Sequence, residues 1–220
     1  MCSMEINLLE KYPRTKRDPS KRAQAKTEEH REVARLFEED FFDGDRSVGY
    51  GGYSYRADFW SGVVQTFAEQ YNLKAGDKVL DAGCAKGYML YDLTQEVPGI
   101  EAHGIDVSNW AIENCHPEVR DCLSVRDVRN LDVFDDDEFD LVISINTVHN
   151  LVKEECAACV RELDRISKNC FLTVDSWVNE EGENSMRDWN LTAQTMMSVG
   201  DWKVFLAEAG YAGDYYWFFP

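Results

Sequence analysis

From residue 76 onward the chain alternates short apolar runs with segments whose apolar residues lie three or four positions apart. The runs predict strands and the segments predict helices. Strands are predicted at 78–82, 102–106, 122–126, 139–145, 169–175 and about 214–219. Helices are predicted at about 87–95, 109–114, 153–167 and 200–209. This alternation favours parallel strands joined by crossover helices. We therefore expect an α/β fold: a doubly wound, mostly parallel sheet of six or seven strands with helices on both faces.

The first 70 residues follow a different pattern. Residues 1–20 contain two prolines and are expected to be extended, and residues 20–40 have helical spacing and predict one helix. Gly49–Tyr55 is too rich in glycine for a regular element, and its three tyrosines favour a lid that excludes water. The other interpretation is an irregular loop anchored on the core by aromatic side chains. A helix follows from Phe59 to Tyr71. We expect one domain over 1–220, with an N-terminal helical and aromatic cap (1–70) on a core (76–220).

The most informative stretch is Lys78–Tyr88, in which a buried strand runs into a glycine turn that opens a helix. Gly83 and Gly87 allow the backbone to approach a ligand closely. A dinucleotide site would need Gly-x-Gly-x-x-Gly, whose middle glycine makes room for a pyrophosphate. Ala85 stands in that place here and the spacing is Gly-x-x-x-Gly, so a diphosphate is disfavoured.

This stretch resembles motif I of the class I (Rossmann-like) S-adenosylmethionine-dependent methyltransferases, and the resemblance extends over roughly 76–210. It implies S-adenosylmethionine as the cofactor, with the loop passing under its methionine and ribose parts. The residues implied in this loop are Asp81, Gly83, Cys84, Ala85 and Gly87. The usual sheet of the family has an antiparallel seventh strand reached through a hairpin, whereas this sequence shows a single C-terminal strand. A six-stranded sheet, an edge closed by the N-terminal arm and an edge closed by a partner chain all stay open.

Further cofactor contacts are expected at the ends of later strands. Asp106 ends the second strand, where a carboxylate can accept both ribose hydroxyls; the alternative is a helix N-cap. By the resemblance, Val107 would lie against the adenine, Asp127 would accept from its amino group, and the Val128 N–H would meet the ring. Asn146, after the fourth strand, falls where the family places residues near the reactive methyl group.

Three residues are candidates for the chemistry of transfer. His149 can act as a general base near neutral pH, or it is a packed histidine bonded to the backbone. Asp175 ends the fifth strand and is the second candidate base. Tyr53, in the expected lid, is placed to bond the substrate. The fourth strand is not followed by the Asn/Asp-Pro-Pro-Tyr signature of enzymes that methylate the amino groups of nucleic acid bases.

The amino-acid composition limits which substrates, compartments and ligands are expected. The net charge of −18 makes nucleic acid a poor substrate, and the sequence has no apolar run of the ~20 residues that a membrane span needs. Seven cysteines without regular spacing fit free thiols in a cytoplasmic protein. Cys156 and Cys159 fall in a helical pattern without a second ligand pair, so no metal is expected.

We therefore expect a cytoplasmic enzyme that transfers a methyl group from S-adenosylmethionine to oxygen or nitrogen of a small molecule. The motif I variant, together with the aromatic and glycine-rich segment, looks like bacterial methyltransferases of surface-sugar or secondary-metabolite pathways. The alternatives are a protein or peptide methyltransferase and a non-catalytic protein that binds the cofactor. A homodimer is left open.

Overall fold

The computed structural model describes residues 3–13 and 26–220 and confirms a doubly wound parallel sheet. Its seven strands in this part of the chain are β1 (Lys78–Ala82), β2 (Glu101–Asp106), β3 (Leu123–Val125), β4 (Leu141–Ile145), β5 (Cys170–Trp177), β6 (Met197–Ser198) and β7 (Asp214–Phe218). All of their pairings are parallel and run in the order β3-β2-β1-β4-β5. Beyond β5, β7 pairs with residues 171–175 and β6 with residues 176–177.

Eight α-helices accompany the sheet in the described ranges. They are α1 (Glu28–Ala34), α2 (Glu39–Phe42), α3 (Ala57–Tyr71), α4 (Tyr88–Glu96), α5 (Asn109–Glu113), α6 (Lys153–Arg165), α7 (Glu180–Trp189) and α8 (Val199–Ala209). Short 3₁₀ turns lie at Pro117–Cys122 and Val148–Asn150. None of these helices combines the length and the apolar character that crossing a bilayer requires.

The two faces of the sheet carry separate apolar cores. Val79 packs with α3 and α4 on one face, whereas its neighbour Leu80 packs with α6 and α8 on the other. The helix that follows β1 and the helix that follows β4 therefore lie on opposite faces. Adjacent strands whose connections diverge in this way open a crevice at their carboxyl ends, which is where open α/β sheets bind ligands.

The N-terminal prediction of one helix over residues 20–40 is wrong in its described part. Two short helices, α1 and α2, are separated at Phe37, whose φ of +53° is incompatible with a continuous helix. The Phe37 ring packs edge-on against Phe41 at 5.2 Å, so aromatic packing prevails over local helix propensity. Residues 20–25 of the predicted helix and residues 1–2 and 14–20 of the predicted extended arm lie outside the described ranges.

The outer edge of β7 is covered by residues near the N-terminus. Glu5 forms a parallel bridge with Tyr215, and the Trp217 indole N–H donates to the Glu5 carboxylate at 2.8 Å. Backbone bonds of 3.0 Å run from Ile6 N–H to the Tyr215 carbonyl and from Tyr215 N–H to the Met4 carbonyl. Of the arrangements left open by the sequence, the structure shows closure by the N-terminal arm, beside a strand that is parallel rather than the family's antiparallel one.

Candidate functional site

Two loops meet above the crevice: residues 83–87, named here the glycine loop, and residues 146–150 after β4. A Cβ atom added to Gly83 would lie 2.0 Å from the Thr147 hydroxyl oxygen, and the φ of Gly83 is +97°. Only glycine fits this contact without displacing the other loop. Ala85 (φ +49°) and Asn146 (φ +54°) also adopt left-handed conformations, so strained backbone lines both sides of the crevice.

The N–H groups of the glycine loop are largely used inside the protein. Those of Gly83 and Cys84 donate to the Ile105 carbonyl at 2.8 and 3.0 Å, and that of Gly87 donates to the Cys84 carbonyl at 2.9 Å. The Ala85 N–H donates to Asp106 Oδ2 at 2.8 Å. Phosphate cradles need free N–H groups that converge on the anion. This loop therefore suits a nucleoside without paired phosphates, as its missing middle glycine predicts.

Asp106 lies at the carboxyl end of β2, beside the glycine loop. Its Oδ1 accepts from the Ser108 N–H at 2.9 Å, but the N-cap of α5 is Ser108, whose hydroxyl oxygen accepts from the Ala111 N–H. The capping role therefore belongs to the serine. Burial raises the pKa of Asp106, and the bonds from Ser108 and Ala85 oppose that rise. Each carboxylate oxygen keeps acceptor capacity, which fits a pair of ribose hydroxyls.

Asp81 lies at the crevice, and Tyr53 lies in the part of the cap that bonds the glycine loop. Asp81, at the end of β1, is 4% exposed, and burial together with the charge of Asp106 raises its pKa to about 8. Burial also raises the pKa of the Tyr53 hydroxyl well above its usual range, with smaller contributions from Tyr50, Tyr12 and Asp81. The aromatic segment Gly49–Tyr55 thus contacts the glycine loop through the Tyr53 carbonyl, which accepts from Lys86 Nζ at 2.9 Å.

The raised pKa of Asp81 predicts how stability depends on pH. A folded-state pKa of about 8 lies well above the 3.8 of an ordinary aspartate, so the folded state holds the proton more tightly than the unfolded state does. The stabilisation is complete below pH 3.8 and is lost as the pH rises through 8. Without ligand, we expect the free energy of unfolding to fall by about 2 kcal/mol between pH 6 and pH 8 through this group. Urea titrations of Asp81→Asn should lack that part of the decline, and an equally steep decline would show that Asp81 ionises normally.

The residues expected around the adenine differ in how well they fit it. Val107 is 45% exposed beside Asp106 and offers an apolar face, while Val128 is buried. Burial raises the pKa of Asp127 but bonds from Arg129 lower it further, and both Asp127 oxygens accept from that guanidinium. An adenine amino group would share this carboxylate with Arg129.

The Cys84 thiol turns into the core over Gly104, so Cys84 can meet a ligand only through its backbone.

Beyond β4 and β5, the polar side chains form a buried network. Asn146 Oδ1 accepts from the Thr173 hydroxyl at 2.9 Å. His149 is 2% exposed, its Nδ1 accepts from the Asp175 N–H at 3.1 Å, and its Nε2 lies 3.9 Å from Asp175 Oδ2. Burial lowers the pKa of His149, against the opposing charge of Asp175. The neutral ring then carries its proton on Nε2 and has no free lone pair, which favours the packing interpretation.

Two cavities flank Trp177 at the carboxyl end of β5. One, of about 280 Å³, is also lined by Asn179, Glu181 and Phe219. The other, of about 460 Å³, is also lined by Met196, Met197 and Phe205. Arg187 lies over the Trp177 ring at 5.9 Å. Trp177 therefore acts as a wall between two spaces, both at the edge of the sheet where its strands end.

The sequence did not indicate the polar side chains that hold the cap on the glycine loop. Lys86, in the loop itself, is 5% exposed and pairs with Asp43 of the cap. A lysine inside a glycine-rich turn is noticeable in the sequence. Its ion-pair partner is not, because that residue lies 43 positions away and belongs to no motif. Similarly, the Trp110 indole N–H donates to Asp43 at 2.7 Å.

A family model matches the part of the chain that contains the glycine loop. Residues 79–169 match a family model described as a methyltransferase domain. The matched part runs from β1 through α6 and contains the glycine loop, Asp106 and Asn146. No curated protein sequence matches the chain.

Solved structures show the same fold at low sequence identity. A SAM-dependent methyltransferase from Archaeoglobus fulgidus is 20% identical with a TM-score of 0.55, over 68% of each chain. Magnesium protoporphyrin IX methyltransferase from Synechocystis PCC 6803, with bound SAH, is 17% identical with a TM-score of 0.52, over 68% of this chain and 71% of that one. A chain from the complex of the Haloferax volcanii Trm112 methyltransferase activator with a methyltransferase is 24% identical with a TM-score of 0.51, over 69% and 74%.

The fold is that of the Rossmann-like methyltransferases. Together with the matched domain, it supports an enzyme that transfers methyl groups and uses S-adenosylmethionine as its cofactor.

Proposed function

We propose that this protein transfers a methyl group from S-adenosylmethionine to an oxygen or nitrogen atom of a small molecule. The observation that carries the proposal is the pairing of the glycine loop, in which four of five N–H groups are engaged internally, and Asp106 at the end of the neighbouring strand. The first disfavours a diphosphate and the second offers a carboxylate to ribose hydroxyls.

The cofactor would be held by residues on three sides of the crevice. Asp106 would accept from the ribose, Val107 and Val128 would flank the adenine, and Asp127 would accept from its amino group alongside Arg129. The glycine loop, from Gly83 to Gly87, would run under the methionine part. A cationic sulfonium suits this crevice, because a positive charge beside Asp81 and Asp106 favours the ionised form of both carboxyls and would lower the raised pKa of Asp81.

Among the candidates for chemistry, we propose Asp175 rather than His149 as the base for a hydroxyl acceptor. His149 supports the carboxylate, because its Nδ1 accepts from the Asp175 N–H and its Nε2 lies 3.9 Å from Oδ2. Tyr53, whose carbonyl accepts from Lys86 of the glycine loop, would contact the acceptor. The chain's main contribution is alignment, which can lower a displacement barrier by about 7–11 kcal/mol in favourable cases.

The cavities beside Trp177 support a small-molecule acceptor. Volumes of about 280 and 460 Å³ lie near the range of pockets for small organic ligands. Their aromatic and methionine side chains suit an apolar body, and charged contacts are available from Glu181 in the smaller cavity and from Lys153, Asp201 and Glu208 in the larger one. A cytoplasmic location accords with the described cysteines, which are all free thiols. One domain over 1–220 accords with the contacts of residues 4–6 and of the cap on the core.

A basic peptide is a second candidate acceptor, because the net charge of −18 would attract it. The methyltransferase of the Haloferax volcanii complex, which is bound to an activator protein, supports the further proposal that a protein partner assists this chain. A homodimer is a separate proposal, to be tested by sedimentation.

The test combines cofactor binding with label transfer. We expect S-adenosylhomocysteine to raise the melting temperature and to bind in calorimetry, while NADH gives no fluorescence change on titration. Incubation with methyl-labelled S-adenosylmethionine should then transfer label to a low-molecular-weight fraction of a metabolite extract. Label in added basic protein would favour the peptide acceptor, and binding without any transfer would favour a non-catalytic protein. Failure to bind S-adenosylhomocysteine would refute the proposal.

A further inference from the structure

Lys86 is the only charged side chain in the glycine loop, and it points into the cap. Its Nζ donates to both oxygens of Asp43, at 2.6 and 2.9 Å, and to the Tyr53 carbonyl at 2.9 Å. The ammonium thereby satisfies all three of its donors. The side chain is 6% exposed and that of Asp43 is 29% exposed, so solvent screens this ion pair much less than a surface pair.

Asp43 is the cap residue that accepts hydrogen bonds from several segments. Besides Lys86, it accepts from the Tyr53 N–H at 3.0 Å and from the Trp110 indole N–H at 2.7 Å. Although burial raises the pKa of Asp43, the bonds from Lys86, Tyr53 and Trp110 lower it below its usual range. The carboxylate therefore stays ionised and connects three segments of the chain.

The cap is also hydrogen-bonded to α5, the helix that follows Asp106. The carboxylate of Glu38 accepts from the Asn109 and Trp110 N–H groups, at 3.3 and 3.0 Å, at the start of α5. Tyr53 stacks on Tyr88 with ring centroids 5.2 Å apart, just after the glycine loop. The cap segment Glu38–Tyr55 is thus fastened to both elements that would surround the cofactor, the glycine loop and the start of α5.

We propose that Lys86 and Asp43 are positioning residues that couple the cap segment to cofactor capture. The inference rests on the proposed function, since it takes the cofactor to bind in the crevice beneath the cap. With the ion pair formed, the Tyr53 carbonyl stays bonded to Lys86 and the cap is held over the crevice. With the pair broken, the cap segment loses its connection to the glycine loop, and a bound cofactor escapes faster.

The test compares S-adenosylhomocysteine binding in variants of the whole chain. Lys86→Met and Asp43→Asn should each raise the dissociation constant at least about tenfold, mainly through a faster off-rate. The double variant should bind about as weakly as either single variant, because the two residues act as one unit. Lys86→Arg, which keeps the charge, should recover part of the affinity. Dissociation constants come from calorimetry and off-rates from stopped-flow tryptophan fluorescence.

A second readout separates coupling from a merely structural role. Arg46 is exposed within the cap segment and is a site for trypsin. S-adenosylhomocysteine should protect the wild-type protein from cleavage there, and that protection should be absent in Lys86→Met.

Lys168→Met is the matched control. Lys168 pairs with Asp140 at 2.7 Å at the amino ends of the strands, opposite the crevice. We expect this variant to bind within about twofold of wild type, as for an exposed ion pair. If Lys86→Met does not fold, Asp43→Asn carries the comparison.

The outcomes separate the two proposals. If the wild-type protein binds S-adenosylhomocysteine and both cap variants match it, or Lys168→Met loses as much as they do, the coupling is wrong and the proposed function stands. If the wild-type protein does not bind, both are overturned.

Discussion

Asp106→Ala is expected to abolish measurable binding of S-adenosylhomocysteine. The carboxylate at the end of β2 is 9% exposed and holds the glycine loop through the Ala85 N–H. Its removal would take away two charge-assisted bonds to the ribose, a loss of about 3 kcal/mol or more than a hundredfold in affinity. Calorimetry at concentrations that saturate the wild-type protein would show no heat of binding.

Asp77→Ala controls for the loss of a carboxylate that bonds the backbone. Asp77 accepts from the Lys74 N–H at 2.9 Å, before β1 and away from the crevice. We expect this variant to keep wild-type affinity. Unchanged affinity in Asp106→Ala would instead show that the ribose is held elsewhere.

Gly83→Ala is expected to cost about 3 kcal/mol of stability, because it combines backbone strain with a steric clash. The added methyl carbon would lie 2.0 Å from the Thr147 hydroxyl oxygen, at a φ of +97°. The two loops that form the crevice would have to separate, so cofactor affinity should fall with stability. Urea unfolding measures the first effect and calorimetry the second.

Gly210→Ala is the control that separates backbone strain from steric clash. Gly210 ends α8 with a φ of +77°, and an added Cβ there would meet nothing within 4 Å. We expect a loss of about 1 kcal/mol from the left-handed backbone alone. Equal losses in the two variants would mean that the contact between the loops is not tight.

The strands around the crevice were predictable because two independent signals coincide there. β1 is an apolar run that ends at a glycine turn, and the structure places it at Lys78–Ala82, as the pattern predicts. A serine followed three positions later by an acid is a local capping signal, and Ser198 caps α8, since its hydroxyl oxygen accepts from the Asp201 N–H at 3.1 Å. Local chemistry determines such features, so a single sequence reveals them.

Other features depend on contacts that no local pattern encodes. α7 was missed because its first turn is strongly acidic and only Met186 in the helix is buried. The pair of Lys86 and Asp43 joins residues from a loop and a cap helix boundary whose meeting is decided by tertiary packing. The roles of His149 and Asp175 could be stated only as alternatives from sequence, because the way the two side chains bond to each other is decided by tertiary packing.

The bridge between Glu5 and Tyr215 has a consequence for how the molecule is made. Met4 and Asp214, which also bond there, are 210 positions apart in the chain. During synthesis the early residues leave the ribosome long before β7 exists, so they must wait unpaired while the strands between them assemble. Completion of this edge should therefore be a late event in biosynthesis, and a bulky fusion placed just before Met4 would slow it.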